Sequence, residues 1–324
     1  MIKTAICFTG NGKEVIEKLN KAYAQKGMEG AGLHMFPGED SAAPSAEEFV
    51  RSEFERGHAL IFTGACGIAV RLISGCVRDK LTDSPVIVID DAGSYVIPIL
   101  SGHAGGANKL AVTIASLIGA IPVITTSTDV NGAFSADVFA AENGLRIRNR
   151  DGIRKVSAKA IEGKSVTISV KDYPPADPVD IIIADETDSE YSLLLSPRSY
   201  VIGVGTRKGI DADIFERNVM STIQGAGITI DEVYALATID IKEKEPAIRE
   251  FTGRYRIPLI TFEADVLKRC KGNFTSSGFV EETVGVDNVC ERAAILAAGC
   301  GSKLIVPKTA GDGVTVSVAK RRQG

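Results

Sequence analysis

Short apolar runs rich in Val, Ile and Leu alternate along this chain with stretches of helical spacing, and most of the runs end in Gly, Ser or Thr. Lys3–Phe8 leads into Thr9-Gly10-Asn11-Gly12 and then the helical pattern Lys13–Gln25. His58–Phe62 leads into Thr63-Gly64-Ala65-Cys66-Gly67 and a helix over Ile68–Ser74. Pro85–Ile89 is apolar and too short for an ordinary helix, so it reads as a buried strand. After the turn Asp90-Asp91-Ala92-Gly93 come a strand at Tyr95–Ile99, a glycine stretch at Leu100–Asn108 and a helix over Lys109–Gly119. A strand at Ile121–Ile124 then ends in the polar loop Thr125–Asp129. This alternation predicts an α/β fold whose amino-terminal domain, residues 1–130, is a parallel, doubly wound sheet.

The pattern changes over residues 131–197, which read as a small α+β region. Helices are expected at Ser135–Asn143 and Asp151–Glu162, and strands at Lys164–Lys171, Ile181–Ala184 and Tyr191–Leu195. The prolines of Tyr173–Pro178 make that segment a loop. Residues 198–324 return to the α/β style as a carboxy-terminal domain. Its strands are expected at Tyr200–Val204, Val233–Ile239, Pro258–Phe262, Lys303–Val306 and Val314–Ala319, and its helices at Asp211–Gln224, Glu243–Arg254 and Asp287–Ala298.

Composition narrows the function classes. At 324 residues and 44% hydrophobic, the chain can bury two or three cores. Its 37 Lys and Arg against 41 Asp and Glu give a net charge of −4 with no long run of either sign, which weighs against a nucleic-acid binder. No apolar run approaches the roughly 20 residues of a membrane helix, and the start of the chain reads as a strand, not a signal peptide. The six cysteines are scattered and never spaced Cys-x-x-Cys. They fit a reducing, cytoplasmic setting and give no zinc site. His34, His58 and His103 lack a second ligand at helical or strand spacing, so no protein-held metal is expected.

The stretch Ser101-Gly102-His103-Ala104-Gly105-Gly106-Ala107-Asn108 concentrates three glycines and one of three histidines just before a helix. Glycines allow close backbone approach, and a helix start leaves N–H groups pointing outward, which suits an anion or a carbonyl oxygen. A plain strand-to-helix turn is the competing reading. Four donor-rich loops follow expected strands: Thr9–Gly12, Thr63–Gly67, Thr125–Thr128 and Gly203–Gly209. In open parallel sheets ligands bind beyond the carboxyl ends of the strands. Gly64, Gly67, Thr125, Thr126, Gly203, Gly205 and Thr206, with Arg71, Arg207 and Lys208, therefore suit a ligand rich in carboxylates or phosphates.

Two common motifs fail on inspection. Gly203-Val-Gly205-Thr-Arg-Lys-Gly209 is one residue longer than the dinucleotide fingerprint, which weakens a nucleotide-dependent enzyme. Gly163-Lys164-Ser165 lacks the earlier glycine of a P-loop and runs into a strand. No Gly-x-Ser-x-Gly elbow is present. An activated water with His103, Asp129, Asp240 or Glu245 as base is more natural than a covalent nucleophile.

Three groups of residues carry a resemblance. They are Thr63-Gly-Ala-Cys-Gly-Ile-Ala-Val-Arg71 with Leu100-Ser-Gly-His-Ala-Gly-Gly-Ala-Asn108, then Val123-Ile-Thr-Thr-Ser-Thr-Asp129, and Ile202-Gly-Val-Gly-Thr-Arg-Lys-Gly209 with Leu236-Ala-Thr-Ile-Asp-Ile-Lys242. Over nearly its whole length the chain resembles the CbiG family of cobalamin biosynthesis proteins. Thr206-Arg207-Lys208 departs from the Cys-Arg-Arg frequent there but keeps the positive charge. The resemblance implies opening of the δ-lactone of cobalt-precorrin-5A and loss of acetaldehyde to give cobalt-precorrin-5B. The cobalt would belong to the tetrapyrrole substrate, with no cofactor held by the protein. Lys242 and Lys308 join Arg71, Arg207 and Lys208 as expected partners of the substrate carboxylates, beside Ser101, Gly102 and Asn108. The N–H groups of Gly105 and Gly106, or of Gly64–Gly67, would hold the oxyanion. A carrier that binds the tetrapyrrole without chemistry is the alternative. A homodimer, and transient contact with neighbouring enzymes of the pathway, stay open.

Overall fold

The structure is a computed structural model that describes residues 1–37, 44–170, 179–275 and 286–322. The chain divides into two compact units. The first comprises Met1–Asn143, Ile147–Ile183 and Thr187–Leu194, and the second comprises Gly144–Arg146, Ala184–Glu186 and Leu195–Gly324.

In the first unit β1 (Lys3–Cys7), β2 (Gly32–Met35), β3 (Ala59–Thr63), β4 (Val86–Ile89), β5 (Tyr95–Leu100) and β6 (Ile121–Pro122) form one sheet in the order β2-β1-β3-β4-β5-β6. Its central strands β3 and β4 read as nearly unbroken apolar runs because both faces are covered. Ala5, Cys7, Ile61, Ile87 and Ile89 face α1 (Gly10–Gln25) and α4 (Ala107–Ile118), through Ile16, Leu19 and Tyr23 of the one and Ala111, Ile114 and Ile118 of the other. The alternate residues Ile6, Leu60, Phe62, Val86 and Val88 face α2 (Ala46–Glu55) and α3 (Cys66–Ile73), through Val50, Phe54, Ala69 and Ile73. Helix starts follow local chemistry: Thr9 caps α1, and Ser45 with Glu48 forms a reciprocal capping box on α2.

The sheet departs from the expected parallel arrangement at one place. β1, β2, β3 and β4 run parallel, but β5 runs antiparallel to β4, with Val86 opposite Leu100 and Ile89 opposite Val96. The Asp90–Gly93 turn is the cause. Parallel neighbours need a crossover of a dozen or so residues, whereas this connection is a tight turn. Asp90 holds it, accepting from the Tyr95 N–H at 2.5 Å, while Gly93 takes φ +69°. β6 then runs parallel to β5.

Beyond β6 the expected polar loop Thr125–Asp129 is partly helical, as α5 (Ser127–Val130), followed by α6 (Ala136–Glu142) and α7 (Arg150–Ile161). A smaller sheet has the order β7-β10-β9-β8, from β7 (Leu145–Ile147), β8 (Ile168–Val170), β9 (Val179–Ile183) and β10 (Tyr191–Pro197). β8 is shorter than the expected Lys164–Lys171, and Lys171 and the Tyr173–Pro178 loop lie outside the described residues.

The second unit holds a sheet in the order β13-β12-β11-β15-β14. β11 (Tyr200–Thr206), β12 (Val233–Ile239) and β13 (Leu259–Phe262) are parallel, and the hairpin β14 (Lys303–Gly311) and β15 (Val314–Lys320) joins β11 antiparallel through β15. α8 (Ala212–Gly225) and α9 (Pro246–Tyr255) cover one face with Phe215, Val219, Ile248 and Phe251. α10 (Ala264–Arg269) and α11 (Val289–Ala298) cover the other with Leu267, Ala293 and Ala294. Among the described residues no helix is long and apolar enough to cross a membrane.

Gly203 sets how closely α11 lies on β11. A Cβ there would fall 1.9 Å from the Cys290 carbonyl oxygen, so the backbones meet where only hydrogen fits. Gly203→Ala should therefore destabilise the protein by about 1–3 kcal/mol through overpacking. Gly253→Ala, inside α9 with nothing within 4 Å of its Cβ position, should instead stabilise it by about 0.5–1 kcal/mol. Opposite shifts of the urea midpoint check both.

Candidate functional site

The reversal at β5 decides where the glycine stretch emerges. Leu100 lies beside Val86, so Ser101–Asn108 leaves the sheet at the amino-terminal edge of β4, and the Ser101 hydroxyl donates to the Asp83 carbonyl oxygen at 2.7 Å. Thr9–Gly12 and Thr63–Gly67 leave β1 and β3 at the carboxyl edge. One strand length, about 13 Å for four residues, separates the two edges. Gly64, Gly67 and Arg71 are thus not gathered with His103. Thr125 and Thr126 are on the same side as His103, because β6 follows the direction of β5.

Within the stretch the backbone folds back on itself. Gly106, Ala107 and Asn108 donate their N–H groups to the carbonyl oxygens of His103, Ser101 and Gly102 at 2.9, 3.1 and 3.0 Å. The Gly64 N–H likewise goes to the Ile89 carbonyl. The expected oxyanion donors Gly106 and Gly64 are therefore engaged within the fold. Gly105 serves closure: a Cβ there would lie 2.4 Å from the Ser101 Cβ. Gly102 makes room for the Asn108 amide, whose oxygen lies 2.6 Å from its Cβ position. Ser101 itself is held in the left-handed region at φ +54°, uncommon for a non-glycine residue.

This compact turn presents His103 to α5 and α6. The ring Nε2 lies 2.8 Å from Asp129 Oδ2 and 3.0 Å from Thr128 Oγ1. Asp129 Oδ2 also accepts from Asn108 Nδ2 at 2.7 Å, and the same amide reaches Thr126 Oγ1 at 3.0 Å. On the far side of the ring, Nδ1 is 3.4 Å from Ser135 Oγ and 3.6 Å from Asp137 Oδ1. Ser135 donates to that same Asp137 oxygen at 2.5 Å, and the Val138 N–H donates to it at 3.1 Å. Asp137 is 8% exposed and Asp129 42%, so one carboxylate is enclosed and the other faces water.

The Asp137 carboxylate raises the His103 pKa above its ordinary value; burial works against this and Asp129 adds to it. Burial alone would raise Asp137, but His103 and Ser135 outweigh it and bring the carboxyl down to about 2. The arrangement favours an imidazolium between two carboxylates, with proton exchange possible on the exposed side. Asp137 and Ser135 escaped the sequence reading, whereas Thr128 closes the Thr125–Thr128 loop expected to donate to a ligand. Ser135-Ala136-Asp137 has the form of an ordinary helix start, and only the fold brings it to the ring.

The remaining candidates lie in the second unit. Arg207 and Lys208 are exposed, and the Arg207 N–H donates to the Gly313 carbonyl at 3.0 Å. Glu245 is buried, with one oxygen accepting from the Gly209 N–H at 2.8 Å and the other from Lys242 Nζ at 3.1 Å. The pair braces the Gly203–Gly209 loop, and each oxygen of the Glu245 carboxylate already accepts a hydrogen bond. Asp240 is exposed and accepts from the Ile241 N–H. Gly203 and Gly205 meet α11 and Thr315 closely, and the Lys308 N–H donates to buried Glu291 at 2.7 Å.

Comparisons with known proteins place the chain by family. Residues 48–129 match the family model described as Cobalamin synthesis G N-terminal, and residues 200–319 match Cobalamin synthesis G C-terminus. The chain is 32% identical over 272 residues to the cobalt-precorrin-5A hydrolase of Salmonella typhimurium, covering 76% of this chain and 78% of that protein. It is 28% identical over 357 residues to the cobalt-precorrin-5A hydrolase of Priestia megaterium, covering 97% and 93%. The crystal structure of CobE, a protein from the cobalamin (vitamin B12) biosynthetic pathway, aligns with 39% of this chain and 93% of its own at 26% identity and TM-score 0.37.

The His103 cluster has a pH signature. The depressed Asp137 contributes stability that is complete above its unfolded value of 3.8 and is lost as pH falls toward about 2, a contribution of about 2 kcal/mol. The raised His103 contributes stability present below its unfolded value of 6.5 and lost as pH rises through its folded value. Asp137→Asn should remove the first dependence and weaken the second, which Asp129 still sustains. Urea midpoints measured from pH 2 to 9 should then show the largest gap between variant and wild type at about pH 5, closing at each end.

Proposed function

The chain belongs to the CbiG family and has a role in cobalamin biosynthesis; on that premise we propose that it opens the δ-lactone of cobalt-precorrin-5A by hydrolysis and releases acetaldehyde to give cobalt-precorrin-5B. The observation that carries the assignment of chemistry is Asp129. Its Oδ2 is fixed by His103 and Asn108 while the side chain stays 42% exposed, so one carboxylate oxygen is anchored and the other is presented to solvent. That is the disposition of a general base for water.

In this scheme water gives its proton to Asp129 Oδ1 as its oxygen attacks the lactone carbonyl. The His103 imidazolium offsets charge on the anchored Oδ2 and supplies the proton that the ring-opening alkoxide needs. Opening leaves a carboxylate and a free hydroxyl. The hydroxyl then returns its proton to the His103 ring left neutral by the preceding step, the adjacent C–C bond breaks, and acetaldehyde departs while the conjugated macrocycle takes up the electron pair. Cobalt enters with the substrate. Val130, next to Asp129 and 65% exposed, offers an apolar contact for a macrocycle face.

Incubation of the protein with the cobalt lactone intermediate should release acetaldehyde stoichiometrically. His103→Ala and Asp129→Asn should each lower turnover by about 10²-fold or more. Tight binding with neither acetaldehyde nor a change in substrate mass would make the protein a carrier and end the hydrolase reading.

A further inference from the structure

His103 meets a carboxylate through each ring nitrogen, and the two sides are built differently. Toward Nε2 stand Asp129 at 2.8 Å, open to water, and buried Thr128 at 3.0 Å, both on α5. Toward Nδ1 stand half-buried Ser135 and enclosed Asp137. The Ser135 hydroxyl, 3.4 Å from Nδ1, is committed as a donor to Asp137 Oδ1 at 2.5 Å. A hydroxyl has one proton and two lone pairs, so once its proton points at Asp137 it can only accept from the ring. Asp137 reinforces this from 3.6 Å, and its own position is fixed by the Val138 N–H. Of the elements around the ring, α5 contributes Asp129 and α6 contributes Asp137. From α4, Asn108 reaches the same Asp129 oxygen and is uncharged.

We propose that Ser135 and Asp137 are positioning residues that hold a proton on Nδ1 of His103, so that the ring exchanges protons through Nε2 alone. The pair touches neither substrate nor the reacting oxygen. Its role is to choose which nitrogen is available, and a proton lost from Nε2 returns to Nε2 in each cycle while that on Nδ1 stays in place. A ring free to lose either proton would spend part of its time with Nε2–H in the neutral form, and its basic nitrogen would then face Ser135 instead of Asp129. The consequence for turnover rests on the proposed hydrolase reading, whereas the location of the proton does not.

The test is nitrogen-15 NMR of the ring nitrogens in the full-length protein, with the His103 signals assigned by their loss in His103→Gln and separated from those of His34 and His58. In wild type, Nδ1 should stay protonated across the titration while Nε2 alone responds to pH. Asp137→Asn should weaken proton binding by His103 about tenfold or more. Ser135→Ala, which removes one small hydroxyl, should shift the neutral ring toward the Nε2–H form, and it decides the matter if Asp137→Asn fails to fold. In the acetaldehyde assay both variants should lower kcat by about tenfold or more, leave KM within about twofold, and in Asp137→Asn move the limb of the pH profile set by His103 to lower pH. A neutral wild-type ring protonated on Nε2, or a His103 titration unmoved in both variants, would overturn the proposal. If wild type releases no acetaldehyde, the hydrolase reading fails and the ring-nitrogen signals still decide this one.

Discussion

The tight turn between β4 and β5 governs the first unit. By forcing β5 to run against its neighbours, it carries Ser101–Asn108 away from the edge where the loops after β1 and β3 emerge. It delivers the stretch to the edge from which the chain beyond β6 continues into α5 and α6. Asp129 and Asp137 can reach His103 because of this reversal. With β5 parallel, the glycine stretch would have joined Thr9 and Thr63, and the carboxylates beyond β6 would have had no imidazole to hold. A connection of a few residues thus outweighs the general tendency of α/β sheets to gather their functional loops at the carboxyl ends of the strands.

Much of this was legible in the sequence because it depends on periodicity. The apolar runs of β1, β3 and β4, the one-sided pattern of α4 and the alternation in the second unit all predict elements that the structure contains. The direction of β5 was legible in principle, since Asp90–Gly93 is a turn too short for a crossover, but the prevailing alternation masked it. The site was half visible. His103, Asn108 and Asp129 stand in phrases whose composition draws notice, whereas Ser135 and Asp137 look like an ordinary helix start and gain meaning only from a contact 32 or more residues back along the chain. Glu245 shows the opposite failure. A run of charges suggested a base, and burial between Gly209 and Lys242 makes it a brace.

The glycines divide in a similar way. Gly102 and Gly105 looked like donors for an anion; in the structure they let Asn108 and Ser101 come close, and the neighbouring N–H groups are consumed in closing the turn. Gly203 looked like part of a phosphate loop, and its bare Cα is what lets α11 sit on β11. A glycine-rich phrase reports close approach of something. Whether that is a ligand or the rest of the chain is settled by packing, which no local pattern encodes.

The Asn108 amide carries a last implication. It bonds Asp129 and Thr126 at once, and it has no charge to gain or lose at any pH where the protein is folded. The aspartate is therefore moored by a partner indifferent to acidity, while the imidazole beside it responds to acidity. Geometry and charge state at this carboxylate are under separate control: the ring can titrate through a full cycle of proton gain and loss without setting its neighbour adrift.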